Sequence, residues 1–207
     1  MQLKMRGFSL VELMVAMVAG LLLVAAVTSL FATILKANYT AMQTSRLNQE
    51  VQALTDMIAR DIQRAGYDAN ATQFLAAPSG SRSSFYFDTV TDLMNETATG
   101  SGLYTCVRVR YDNDGNGVLG TDDTLVYSYL SADKGIKQGT GSTTCGNGTF
   151  ISTDDTIEIT GMTLKLLPSS QGSGARALQL MVSGRFKAAP ALTLTLQRDI
   201  KLRNDGY

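Results

Sequence analysis

The chain contains no histidine. That excludes Ser-His-Asp and Cys-His nucleophile systems, the HExxH metal helix and any zinc site that needs imidazole. Its two cysteines cannot build a four-thiolate metal centre. Charge of one sign is also lacking: 18 basic residues balance 18 acidic ones. No bulk positive field is present to hold a nucleic acid, and no nucleic-acid partner is expected. Proline is scarce, with three residues and none before Pro78. Glycine occurs before Pro78 only at Gly7, Gly20 and Gly66. The 207 residues suit one domain of ordinary size. They divide into a nearly unbroken front and a turn-rich back.

The front is dominated by one apolar run. Residues 13–35, between Glu12 and Lys36, carry no charge. As a helix rising about 1.5 Å per residue, the run reaches ~35 Å, enough to cross a hydrocarbon layer. Lys4 and Arg6 precede it. The positive-inside rule keeps them in the cytoplasm and places everything after Lys36 on the outer side of the membrane. A cleaved secretory signal would have a shorter apolar core and an A-x-A-like site, which is not evident here. A plain signal anchor has the right length but does not account for Glu12. A carboxylate at the centre of a spanning helix costs about 2.5–3.5 kcal/mol, and less near the end. Glu12 either lies among the headgroups or has a specific partner.

The stretch Gly7-Phe8-Ser9-Leu10-Val11-Glu12-Leu13 resembles the cleavage and methylation signal of type IV prepilins. The resemblance implies that a membrane-embedded prepilin peptidase cuts between Gly7 and Phe8 and methylates the new amino terminus. Glu12 then becomes the fifth mature residue. Its carboxylate can pair with the Phe8 ammonium of a neighbouring subunit, turning two costly charges into one contact where attraction is strong.

Beyond Lys36 the helical pattern continues without glycine or proline to Ala65. Leu47, Val51, Leu54, Ile58, Ile62 and Ala65 recur at three- and four-residue steps, with charged and amide side chains largely off that stripe. This predicts an amphipathic helix docked by one face on the chain's own domain, ended by Gly66. Ala16 and Gly20 form a small-xxx-small pair, a weak signal for helix approach. The segment Met57-Ile58-Ala59-Arg60-Asp61-Ile62-Gln63-Arg64-Ala65-Gly66-Tyr67 resembles the helix end of PilW-type minor pilins. The resemblance covers about the first seventy residues.

After Tyr67 the pattern changes. Residues 69–84 read as a linking loop. Six strands are expected, at 85–90, 106–111, 125–130, 156–167, 177–186 and 191–202. The last is the clearest, with Leu192, Leu194, Leu196, Ile200 and Leu202 on one parity. An antiparallel sheet covering the helical stripe makes the fold class α+β. The expected organisation is a leader at 1–7, a transmembrane half-helix at 8–35, an amphipathic half-helix at 36–66 and a β-rich head at 67–207. The glycine-rich stretch 139–148 reads as a flexible loop.

Two local signals lie in the head. Cys106 and Cys145, outside the cytoplasm, are expected to form a disulfide. It would close a loop of about forty residues and contribute about 3–4 kcal/mol in the entropic picture. The run from Asp112 to Asp123 spaces oxygen donors like a calcium loop of the EF-hand kind. Asp112, Asp114 and Asn116 take its first, third and fifth places, Gly117 the turn, the Val118 carbonyl the seventh place and Asp123 the twelfth. It departs from that pattern in having aspartate rather than glutamate last, and strand-like rather than helical flanks. A long hairpin turn, favoured by Asp, Asn and Gly for backbone reasons, competes with the structural-calcium reading. The pairs Asp122–Asp123 and Asp154–Asp155 sit in turn-like contexts and do not read as catalytic.

The resemblance implies a structural, non-enzymatic minor pilin that primes pilus assembly in a tip complex. Its expected partners are prepilin peptidase, other minor pilins and the major pilin, with a tip adhesin as a further candidate. The chain would sit first in the inner membrane with a periplasmic head, then in the pilus. A pseudopilin of type II secretion shares the same front. A membrane-anchored calcium- or ligand-binding module is the alternative from another class. A tethered enzyme is disfavoured by the missing histidine and the lack of a phosphate-cradling loop.

Overall fold

The computed structural model describes residues 7, 9–75, 82–141, 143–152, 155–167 and 176–204. Helix α1 runs Leu10–Arg64. The chain forms two compact units, residues 1–45 and 46–207, and the long helix contributes to both.

In the first unit the helix is apolar and exposed. Its most apolar window has a mean hydropathy of 2.6 and is entirely unburied, so the helix is long and apolar enough to cross a membrane. Its threonine hydroxyls are satisfied internally. Thr28 donates to the Val24 carbonyl at 2.8 Å and Thr33 to the Ser29 carbonyl at 3.0 Å. Hydroxyls bonded to the preceding turn need no water, as a lipid-facing helix requires.

In the second unit the expected stripe is buried. Leu47, Val51, Leu54, Ile58, Ile62 and Ala65 join one core with the inner face of the sheet. Burying an aliphatic side chain of this size contributes about 1.5–3 kcal/mol. The helix stops where predicted. Gly66 has φ +78°, and its N–H donates to the Arg110 carbonyl at 2.9 Å. A Cβ there would lie 2.9 Å from the Asn204 carbonyl oxygen, so only glycine fits.

A short helix α2 (Thr72–Leu75) follows. The sheet comprises β1 (Leu93–Glu96), β2 (Leu103–Arg110), β3 (Thr124–Leu130), β4 (Gly135–Thr140), β5 (Thr149–Phe150), β6 (Ile157–Leu167), β7 (Ala177–Phe186) and β8 (Ala189–Lys201). Their order is β5-β4-β3-β2-β6-β7-β8, with β1 also on β2, and the pairing is antiparallel. The fold is therefore α+β, a long apolar N-terminal helix with an antiparallel sheet. Strand β7 alternates half-buried and buried side chains along its length, the mark of a sheet with one covered face. At Gly184 on β7 a Cβ would lie 2.9 Å from Val51 Cγ2 and 3.4 Å from Leu47 Cδ1, which is how closely the helix approaches the sheet.

Three expectations fail locally. Residues 85–90 are not a strand. Asp88 and Asp92 capture the backbone there: Asp92 Oδ2 accepts from the Asp88 N–H at 2.7 Å and Asp88 Oδ1 from the Val90 N–H at 2.9 Å. Such side-chain bonds compete with a ladder. The segment is pinned instead by Phe85 and Phe87, both buried, and by Arg176, which donates to the Phe87 carbonyl at 2.8 Å. Strands β1, β4 and β5 lack a strong alternating apolar pattern and were not expected. Part of the glycine-rich stretch, Gly139 and Thr140, belongs to β4 rather than to a loop.

Two ion-pair groups brace the sheet. Asp92 is fully buried and receives Arg108 at 2.6 Å and Arg110 at 2.9 Å. Removing one partner of a buried pair leaves uncompensated charge. Asp92→Ala is expected to destabilise the fold by about 3–5 kcal/mol in chemical denaturation; a loss under about 1 kcal/mol would contradict the clamp. Glu158 receives Lys134 at 3.0 Å and Arg185 at 2.7 Å. Their hydrogen bonds hold its carboxyl below the usual range, against the opposing effect of burial. A depressed carboxyl stabilises the fold fully above its unfolded pKa, about 4.3, and loses that contribution as pH falls through the lower native value. The melting-temperature difference between wild type and Glu158→Gln should therefore be constant near neutrality and shrink below pH about 4. A difference that does not depend on pH would count against this pairing.

Candidate functional site: the processing segment and an acidic loop

The processing segment sits at the start of α1. Gly7 is exposed, and Phe8 lies outside the described residues. Glu12 is in the first turn, where its Oε2 accepts the Ser9 N–H at 3.2 Å. The first turn of a helix leaves N–H groups without intrahelical partners, and an acid there satisfies one of them and complements the helix dipole. Glu12 thus has a local use within the chain, while its side chain remains exposed.

The acidic loop connects β2 to β3 through a 3₁₀ turn, Thr121–Asp123. Asp112 is buried and organises the loop from within. Its Oδ1 accepts from Gly115 at 2.8 Å and Asn116 at 3.1 Å, and its Oδ2 from Gly117 at 2.9 Å and Ala69 at 3.1 Å. Burial alone would raise the Asp112 pKa. The N–H groups of Ala69, Gly117 and Gly115 outweigh it and hold the carboxyl below its ordinary value. Asp123 is also buried; its two oxygens accept from Asn113 at 2.8 Å and Gly120 at 2.7 Å.

One carboxylate oxygen each from Asp112, Asp114 and Asp123 lies within 4.8 Å of the others. Oxygens about 2.4 Å from a common calcium ion are at most ~4.8 Å apart, so the three can share a hard cation. The Asn116 side chain turns to its neighbours, donating to Asp114 Oδ2 and accepting the Val118 N–H at 2.6 Å. Val118 is exposed. Supports that sequence reading missed come from distant residues. Asn70 donates to the Asn116 carbonyl at 3.3 Å, and the Asp112 N–H donates to the Tyr67 carbonyl at 2.9 Å. Neither has a signal in the loop's own sequence.

Cys106, fully buried on β2, is bonded to Cys145 in the connection between β4 and β5, with a Cα–Cα distance of 6.1 Å. This is the expected pairing. Met94 Sδ lies 3.8 Å from the Cys145 sulfur.

The family model described as prepilin peptidase-dependent protein B matches residues 40–202. The chain belongs to the prepilin peptidase-dependent protein B family. A second model, the prokaryotic N-terminal methylation motif, matches residues 3–28. No curated protein and no solved structure matches the chain. As a type IV pilin-like protein of this family with a prepilin signal, it carries Gly7, Phe8 and Glu12 inside the matched motif. The family match spans the docked helix, the acidic loop and both cysteines.

Proposed function

We propose that this prepilin peptidase-dependent protein B family member is a minor pilin of the PilW type, with a structural and not an enzymatic role. The peptidase cuts after Gly7 and methylates Phe8. Residues 8–35 hold the chain in the inner membrane, and the head folds in the periplasm before the subunit enters a pilus. Glu12 pairs with the amino terminus of a neighbouring subunit and fixes register. The protein primes assembly together with other minor pilins and the major pilin at the pilus tip. The observation that carries this reading is the methylation-motif match at residues 3–28, which runs directly into an exposed apolar helix. Mass spectrometry of the chain isolated from cells containing the peptidase should find a methylated Phe8 as the first residue. Intact Met1 in such cells would refute the reading. Glu12→Ala should still be processed but should be lost from fibres.

The acidic loop is proposed to take calcium as a structural ion through Asp112, Asp114 and Asp123. Three carboxylates gathered this closely repel one another, and a divalent cation would relieve that repulsion. Millimolar calcium should raise the melting temperature of the purified head lacking the residues before Lys36. It should leave an Asp112→Ala, Asp114→Ala variant unchanged. Equal responses from both proteins, or none from either, would remove the claim.

A further inference from the structure

Two asparagine–glycine pairs occur in the chain, Asn116-Gly117 and Asn147-Gly148. Such a pair is chemically labile, because glycine has no side chain to hinder attack of its backbone nitrogen on the asparagine amide carbon. Both asparagines are exposed, so access does not separate them. Their bonding does. In the acidic loop the Gly117 N–H donates to the buried Asp112 carboxylate at 2.9 Å. The Asn116 amide is held at both ends, accepting the Val118 N–H at 2.6 Å and donating to Asp114 Oδ2. The attacking nitrogen is thus tied to an anion that keeps its proton in place, and the carbon it must reach is locked.

Asn147 and Gly148 lie in the connection from β4 to β5. Gln138 on β4 pairs with Thr149, and the Ile151 N–H donates to the Ile136 carbonyl at 3.0 Å. Antiparallel bonds alternate along a strand, so residues 149 and 151 bond β4. Gly148 falls on the other parity at the outer edge of the sheet, and its N–H is left out of the ladder. Among the described residues the Asn147 amide is held at one end only, where Nδ2 donates to the Thr144 hydroxyl at 2.7 Å. No bulkier residue can replace the glycine. Gly148 has φ +110°, and a Cβ there would lie 2.0 Å from the Gln138 carbonyl oxygen. The close approach that joins β5 to β4 therefore keeps the labile pair in place.

We propose that Asn147 is a site of spontaneous deamidation, with water as the co-reactant, and that the fold protects Asn116 from the same reaction. The Gly148 nitrogen gives up its proton and bonds the side-chain carbonyl carbon of Asn147. The bond from that carbon to Nδ2 breaks, ammonia leaves, and a five-membered imide remains. Water adds to either imide carbonyl and reopens the ring, leaving aspartate or isoaspartate at position 147. In sum, an amide and water become a carboxylate and ammonium. Each event places one negative charge two residues from Cys145 and turns the donor that faces Thr144 into an acceptor. The isoaspartate product also lengthens the main chain by one methylene beside the Gln138 carbonyl.

The test ages the full chain in detergent, with its native disulfide intact, in mildly alkaline heavy-oxygen water, then reduces it and cuts it with trypsin. The peptide Gln138–Lys165 carries Asn147 as its only asparagine, and Tyr111–Lys134 carries Asn116, which fragmentation separates from Asn113. Asn147 should become a labelled acid at least ~10-fold faster than Asn116, the scale of one hydrogen bond to a charged acceptor. In denaturant, where neither loop persists, the two rates should converge. Asn147→Gln, whose longer side chain would have to close a larger ring, should remove the label at that position and leave the melting temperature unchanged. The proposal is overturned if Asn116 reacts as fast as Asn147 in the folded chain, or if Asn147 stays an amide there while the denatured chain reacts. A difference that persists in denaturant would overturn it too, because local sequence and not the fold would then set the rates.

Discussion

The head depends on one seam, the apolar stripe of α1 laid across one face of an antiparallel sheet. Leu47, Val51, Leu54, Ile58 and Ile62 supply the helix side; Ile159, Leu164, Leu180, Val182 and Ile200 are among the sheet residues that meet it in one core. A sheet covered on one face only would lose its hydrophobic layer without the helix, and the amphipathic half of the helix would have nowhere to bury its stripe. The close approach at Gly184 and the glycine stop at Gly66 serve this seam, the first by admitting Val51 and the second by turning the chain onto β2.

Polar contacts add register to this non-directional seam. Tyr127 on β3 is buried and donates to Asp61 of the helix at 2.5 Å, while Gln138 on β4 donates to the tyrosine oxygen at 2.9 Å. Burial, reinforced by the Asp61 carboxylate, pushes the phenol pKa well above its ordinary value, so Tyr127 remains a donor at any physiological pH. At another point Arg198 of β8 pairs with Asp56. These bonds between side chains fix which helix turn faces which strand, a choice that aliphatic packing alone leaves loose.

Much of this was legible because it rests on period. The helical stripe and the two C-terminal strands have repeats that survive any tertiary context, and the prepilin-type segment is contiguous. The misses have the opposite character. The 85–90 segment has strand-like side chains, yet Asp88 and Asp92 divert its backbone into turns. Strand β4, with two glycines in six residues, forms only because β3 offers a full-length neighbour. In the acidic loop the carboxylate spacing gave the convergence of Asp112, Asp114 and Asp123. The Asn116 side chain bonds its own neighbours, Asp114 and Val118. The bracing by Asn70 and Tyr67 spans more than forty residues and has no local signature.

The bond between Cys106 and Cys145 has a mechanical consequence. Everything from residue 107 to residue 144, including the acidic loop, β3 and β4, hangs as a side branch off the covalent path between the chain's two ends. The covalent path between those ends crosses from β2 through the sulfur bridge, so the length of the branch cannot be pulled out. Stretching can strip β8, β7 and β6 away in turn, while the branch stays looped shut at its base.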